Sequence, residues 1–464
     1  MLTELRLQNF KAWGDTGPMR LAPLTVIFGT NSSGKSSLGH LLMALKQTVM
    51  LADYKRSLHL GDNKSLIDLG TYEDCVYGRD VTLPVEFELR WKLNRALSIK
   101  NIFDTSQVYQ GRELGLHTKI EPSEMLQPET HRFDYSLWNN KEKTLNISHG
   151  LEGDKAFLEC EPLKLVRAQG RGWPIEPPEK FYRFSDRTLS RYQNADFLVQ
   201  FVLQTEKLLE NFYHLGPLRS HPQRFYSWSG DTPSSVGTEG ELTIPALLAA
   251  TQQGRKLNRG PKQSYQPFNT FIASWLKDLG IIHKFKVEPI AAGRKEYEVL
   301  IQVHAGVPWV KLTDVGFGVS QVLPALVQAF YAPPNSVLWM EQPEIHLHPR
   351  VQANLADAFI SAIHAREEGE NRNTQLIIES HSEHFLNRLQ RRIAEGVLKP
   401  DEVAVYFVTR KRNGAHLESL RLNEYGDIEN WPDDFFGDDM EDITQRALAA
   451  ARKRQKKKAK EAGA

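Results

Sequence analysis

Eight consecutive residues constrain this chain more than any other stretch: Gly29-Thr30-Asn31-Ser32-Ser33-Gly34-Lys35-Ser36, which fits the spacing G-x-x-x-x-G-K-[ST]. At average composition the pattern arises by chance in about one chain in fifty of this length, so its surroundings matter. Before it, Leu24-Thr25-Val26-Ile27-Phe28 is short, apolar and β-branched, as expected of a strand buried on both faces. After it, Leu38, Leu41, Leu42, Leu45 and Val49 recur at helical spacing and predict a helix over 37–50. Strand, glycine-rich loop and helix in this order predict an α/β fold. In such a loop the glycines let the backbone curl, so that successive N–H groups point inward at an anion. The helix start adds its positive dipole end. The predicted ligand is ATP with Mg²⁺. Gly29, Asn31, Ser32, Ser33 and Gly34 would surround the phosphates and Lys35 would reach the β/γ-phosphates. Ser36 would place its hydroxyl on the metal, with Ser37 continuing into the helix. A plain Gly/Ser turn is the rival reading.

A phosphate loop needs an acidic partner at the end of a neighbouring buried strand. Val337-Leu338-Trp339-Met340-Glu341 supplies one, and Glu341 is the predicted metal-holding carboxylate, followed by Gln342-Pro343-Glu344. The alternative is a surface glutamate that merely ends a strand.

The bulk properties narrow the class. A length of 464 residues suggests two or three domains, and 41% hydrophobic with 25% charged residues is ordinary for a globular chain. A net charge of +1 provides no global field toward DNA or a membrane. Cys75 and Cys160 are the only cysteines and stand in no metal-ligand spacing, so a disulfide framework is not expected. No apolar run approaches the roughly 20 residues needed to span a bilayer, and the start of the chain reads as a strand rather than a leader. A soluble, cytoplasmic protein without a membrane partner is the expectation.

Along the chain, Val85-Glu86-Phe87-Glu88-Leu89-Arg90-Trp91 alternates strictly and predicts a half-buried antiparallel strand, opening a β-rich insertion over 84–199. Helices are predicted over 195–214, 246–253, 268–279, 320–331, 351–366 and 384–394. A β-hairpin is expected over 284–310, and strands at Leu376-Ile377-Ile378 and over 403–408. The expected organisation is 1–83, the first half of a nucleotide-binding head; 84–199, the insertion; 200–310, a helical and hairpin lobe; 311–436, the second half of the head; and 437–464, a charged tail, acidic around Asp438 and basic from Arg452 to Lys460.

Glu341-Gln342-Pro343-Glu344-Ile345-His346-Leu347-His348-Pro349 resembles the EEPE-x-HLHP stretch of ABC-type ATPases of the RecF, SMC and OLD kind. Three further blocks follow that family's order. Asn9-Phe10-Lys11 resembles its N-terminal NF[KR], whose basic residue, here Lys11, lies near the nucleotide. Asp314-Val315-Gly316-Phe317-Gly318-Val319-Ser320-Gln321 is similar to a variant signature, which implies that Gly316, Gly318, Ser320 and Gln321 face the γ-phosphate held by an opposite subunit. Ile378-Glu379-Ser380-His381-Ser382 resembles the switch loop, with His381 as γ-phosphate sensor. Leu215-Gly216-Pro217-Leu218-Arg219 is a weaker echo. The ending Asn423-Glu424-Tyr425-Gly426-Asp427-Ile428-Glu429-Asn430-Trp431-Pro432 resembles a bacterial subgroup with a short C-terminal domain of unknown function, within a group that includes ATPase subunits of anti-phage systems such as PARIS and Septu.

One position departs from the family pattern. Where the resemblance implies a glutamate that polarises water, this chain has Gln342, and an amide cannot accept a proton as a carboxylate does. The expectation is slow hydrolysis, or Glu344 acting as base. The resemblance further implies an ABC-type head that sandwiches ATP between two copies of itself, with an inserted β-rich subdomain and a helical signature lobe. Its expected role is sensor or scaffold of a defence system acting on a separately encoded effector. The rival is a RecF-like ATPase whose basic tail, or the region of Arg219, Arg224, Tyr226 and Trp228, contacts DNA. About 80 residues follow His381, fewer than the nuclease domain of OLD proteins requires, so nuclease activity is not expected. The pairs His346/His348 and His381/His384 fall inside blocks that the ATPase reading already explains.

Overall fold

The computed structural model describes residues 1–170, 172–260, 262–412 and 414–432. The charged tail expected over 437–464 lies outside the described residues, as do residues 433–436 of the stretch expected to close the head.

The chain is built on a six-stranded sheet in the order Phe212–Leu215, Val337–Glu341, Gln375–Glu379, Leu24–Gly29, Val403–Lys411, Gly414–Leu420. The first five strands are mutually parallel and the last is antiparallel. Alternation along each strand divides its residues between two cores. Ile27, Val337, Trp339, Ile377 and Tyr406 enter one; Val26, Phe28, Leu338, Met340, Ile378 and Phe407 enter the other. That explains the unbroken apolar runs in the sequence: a parallel sheet covered on both faces has no polar side.

The first core also holds the helices Lys35–Met50 and Leu198–Glu210 and a second, eight-stranded antiparallel sheet. Its long strands run Leu2–Phe10, Val85–Lys100, Val108–Pro122, Pro128–Asn139, Glu142–Glu152 and Lys155–Glu161 in neighbouring order. Val85, Phe87, Leu89 and Trp91 are buried, as the alternation predicts. The 84–199 stretch is thus β-rich as far as Glu161. Its strands extend the sheet begun by Leu2–Phe10, with Leu5 opposite Leu89, and share that strand's core. The second core is covered by the helices Thr243–Gln252, Phe268–Asp278, Phe317–Tyr331, Pro349–His364 and Glu383–Ala394. The hairpin Lys284–Pro289 with Glu296–Gln302 packs there too, and Val310–Lys311 pairs back onto it.

Three sequence expectations need correction. The helix expected over 195–214 stops at Glu210, and Phe212–Leu215 is a strand, because pairing with Val337–Met340 satisfies its backbone and buries Phe212 and Leu215. The helix expected from Ser320 begins at Phe317, behind an extended Gly316. The strand Gly414–Leu420, polar on its outer face, was not expected. Among the described residues no helix is long and apolar enough to cross a membrane.

Candidate functional site

Leu24–Gly29, Val337–Glu341 and Gln375–Glu379 all point their C-terminal ends toward one edge of the parallel sheet, the edge at which open α/β sheets bind ligands. The 29–36 loop leaves from there. Gly29 has φ +148°, and a Cβ on it would lie 2.2 Å from the Val408 carbonyl oxygen; only glycine fits. Gly34, at φ +104°, has the same constraint from Ala12 at 2.9 Å. Trp13 Nε1 donates to Gly34 O (3.0 Å), so the turn after Asn9-Phe10-Lys11 braces the loop. Asn31 and Ser32 are exposed at the tip, whereas Ser33 is buried and its Oγ lacks a hydrogen-bond partner. Ser37 is buried and its hydroxyl donates back to Gly34 O (2.5 Å).

Lys35 is 6% exposed. Its Nζ donates to Gly29 O (2.9 Å) and Thr30 O (2.8 Å), closing the loop on itself, and burial lowers its pKa against the pull of Glu379 and Glu341. Lys11 Nζ donates to Leu69 O (3.2 Å), and Arg410 reaches Ser32 O at 3.5 Å.

Ser36 turns to an acid that sequence reasoning left without a role. Its hydroxyl donates to Glu379 Oε2 (2.8 Å), and Glu379 Oε1 accepts from Trp339 Nε1 (2.7 Å). Glu379 is 2% exposed; burial and the adjacent Glu341 push its pKa up to about 8. Glu341 stands directly opposite in register. Burial opposes its ionisation, but the hydrogen bond and charge of His214, the charge of His40 and the Ser36 hydroxyl outweigh that and hold its pKa below the usual range. His214 Nε2 donates to Glu341 Oε1 at 2.8 Å. Two like charges side by side make it costly to ionise both, so the partners of each decide the direction of its shift. Trp339 reaches Glu379 because position 39 is glycine, where a Cβ would lie 2.6 Å from the indole ring.

The predicted catalytic positions cluster beyond Glu341. Gln342 is half-buried in a left-handed conformation (φ +45°), anchored by its N–H to Glu379 O at 2.8 Å. A non-glycine residue there costs on the order of 1–3 kcal/mol, so the surroundings impose this turn. Glu344 is buried, and its Oε1 accepts from Ser380 Oγ (2.7 Å) and His381 N–H (2.8 Å), while Oε2 has no partner. Burial raises its pKa. His381 follows the Glu379 strand at the same edge, where desolvation of its ring and the Lys35 charge lower its pKa to about 4, leaving a neutral imidazole at pH 7. Arg219, buried behind them, donates to Glu341 O (3.2 Å), and burial lowers its pKa to about 10. His348 caps the following helix, its Nδ1 accepting from Arg350 N–H.

The signature stretch occupies a different part of the second core. Gly316 is exposed at the helix start, and a Cβ on Gly318 would lie 3.5 Å from Leu347. Ser320 and Gln321 are buried one turn later. Asp314 and Arg224 approach to 3.6 Å, so the 217–228 loop touches both the signature turn and, through Arg219, the end of the Glu341 strand.

The structure thus gathers the phosphate loop, Ser36, Glu341, Gln342, Glu344 and His381 at one sheet edge. It adds Glu379, Trp339, His214, His40 and Gly39. The signal for Glu379 was in the sequence: like Glu341, it ends an apolar strand, Leu376-Ile377-Ile378. The site fits magnesium on a nucleotide. A half-buried hydroxyl lies between two buried carboxylates, an oxygen-rich setting for a hard cation that takes one or two protein carboxylates, phosphates and waters.

Fold and site define a P-loop nucleotide-binding α/β protein. Residues 175–387 match the family described as "AAA domain, putative AbiEii toxin, Type IV TA system". The phosphate loop lies before that stretch and rests on its own geometry. Residues 398–445 match a family described as "Protein of unknown function (DUF3696)". No curated protein matches the chain. Similar solved structures include an SMC head bound to the C-terminal winged-helix domain of ScpA (10% identity, TM-score 0.43, covering 91% of this chain and 98% of that one). Another is the SMC head domain from Thermotoga maritima (11%, 0.38, 90% and 98%). A third is an SMC head with an extended coiled coil, bound to the C-terminal domain of ScpA, derived from Pyrococcus furiosus (11%, 0.38, 91% and 96%).

Proposed function

We propose that this chain is an ATP-binding, slowly hydrolysing ABC-type ATPase that pairs with a second copy of itself around ATP and Mg²⁺. The observation that carries the proposal is the Ser36 hydroxyl between Glu341 and Glu379, next to Lys35, at the loop edge of a parallel sheet. Lys11 and 29–37 would bind the nucleotide, and Ser36 and Glu341 the metal. Gly316, Gly318, Ser320 and Gln321 would complete the partner's site. Magnesium would supply positive charge to the phosphates. Neutral His381 would offer the γ-phosphate a hydrogen bond. Gln342 can orient water without taking its proton. Glu344, with a raised pKa and a free Oε2, is the available proton acceptor.

Two outcomes test this reading. Light scattering should show the mass doubling with Mg²⁺ and a non-hydrolysable ATP analogue, and no doubling in Gly318→Arg; mass unaffected by nucleotide would contradict the pairing. Gln342→Glu should raise turnover at least about tenfold, the lower range for a positioned general base. Near-zero turnover in that variant, still folded, would show that position 342 does not act on the water.

The biological role we infer is sensor or scaffold of a prokaryotic anti-phage system with a separately encoded effector. The toxin–antitoxin wording of the matching family supports it. The basic run Arg452 to Lys460 in the sequence favours a second reading, a DNA-repair ATPase that binds DNA directly. Turnover stimulated by DNA supports the second; copurification with an effector whose toxicity depends on Lys35 supports the first.

A further inference from the structure

We propose that Glu379 belongs to the divalent-cation side of this site: it receives the Ser36 hydroxyl hydrogen and so turns the oxygen lone pairs of Ser36 toward the metal. The inference rests on the nucleotide-binding reading and extends it to a residue on the strand between the phosphate-loop strand and the Glu341 strand.

A serine hydroxyl has one hydrogen and two lone pairs. To ligate a cation it must send the hydrogen elsewhere, and here it goes to Glu379 Oε2 at 2.8 Å. The other carboxylate oxygen is held by Trp339 Nε1 at 2.7 Å, so the carboxylate plane is fixed from both ends. Glu341 is differently engaged, with Oε1 on His214. The two acids end adjacent strands in direct register, and both are more than nine-tenths buried. Lys35, whose charge acts on both acids, directs its ammonium at the Gly29 and Thr30 carbonyls. Both oxygens of Glu379 are hydrogen-bonded, but one donor is the motif serine and the strand neighbour in register is a second carboxylate, an arrangement that a divalent cation would relieve.

Manganese serves as the probe. Binding of a non-hydrolysable ATP analogue is measured by calorimetry with and without Mn²⁺, and bound Mn²⁺ is followed by electron paramagnetic resonance. Glu379→Gln should raise the Mn²⁺ concentration for half-maximal binding about tenfold or more, the range found when a group orienting a metal ligand is lost. The metal-dependent part of nucleotide affinity should fall with it. Trp339→Phe, which frees the carboxylate without removing it, should shift in the same direction by less; it carries the test if Glu379→Gln does not fold. An unchanged Mn²⁺ requirement in a folded variant overturns the inference. So does an equal loss of affinity with and without metal, which would mark a structural role. If the wild-type chain binds no analogue at all, the nucleotide reading itself fails and this inference with it.

Discussion

Two acidic clusters in this molecule sit in opposite electrostatic states. On the polar face of the antiparallel sheet, Asp134 is met by His117 (3.6 Å), by Arg132 (2.7 Å) and by the Ser148 hydroxyl (2.5 Å). These partners outweigh its burial, and its pKa falls to about 2. At the edge of the parallel sheet Glu379 has Trp339 and Ser36 as donors but Glu341 as its charged neighbour, and its pKa rises to about 8. The first acid is complete within the fold. The second faces a like charge that its hydrogen bonds and the Lys35 charge do not offset, the kind of perturbed acid that clusters at binding sites.

The comparison can be pressed with substitutions. The largest effect belongs to Lys35→Ala, which should weaken ATP binding roughly 100-fold, since a hydrogen bond to a charged group contributes up to about 3 kcal/mol. Fluorescence titration with an ATP analogue measures it. Asp134→Asn should next lower the unfolding free energy by about 2 kcal/mol, through loss of charge-assisted bonds. Glu379→Gln should leave the nucleotide-free protein as stable as before or more so, because it removes an acid that resists ionisation. Denaturant unfolding of both variants gives the contrast, and equal losses would erase it. Gly39→Ala should cost about 1 kcal/mol net: the helix gains roughly that much from alanine, but a Cβ at 2.6 Å from Trp339 forces repacking worth about 1–3 kcal/mol.

The smallest effect is a pH slope. The hydrogen bonds of Asp134 and Glu86 raise the His117 pKa to about 9, above its ordinary 6.5. The folded state therefore holds a proton that the unfolded chain releases between those values. The stability this supplies is complete below pH 6.5 and is lost as pH rises through about 9. Asp134 acts in the opposite sense, its contribution lost as pH falls from 3.8 through about 2. His117→Gln should flatten the alkaline limb of a thermal-stability profile; an unchanged limb would mean that other groups set it.

The two regions also differed in how far they could be read from sequence. The parallel sheet was legible because burial on both faces writes continuous apolar runs, and because each site acid ends such a run. The phosphate loop was legible because its glycines answer to backbone geometry, as Val408 O beside Gly29 shows. Phe212–Leu215 was misread because a run as short as Phe-Tyr-His-Leu suits a helix end as well as a strand, and only the partner Val337–Met340 decides. The link from Gly39 to Trp339 to Glu379 to Ser36 was not legible, because it joins positions up to 343 residues apart through side-chain contact alone. Likewise the sequence did not show that the β-rich stretch after residue 84 joins the sheet of Leu2–Phe10, since nothing local to it tells that Leu89 lies opposite Leu5.

The most direct measurement is amide hydrogen exchange on the wild-type chain with and without Mg²⁺ and ATP. Slowed exchange is predicted at residues 29–37 and at the strand ends carrying Glu341, Gln342 and Glu379 to His381, with no change along the 85–161 strands. Exchange unaltered by nucleotide at 29–37, or protection confined to the antiparallel sheet, would contradict the account.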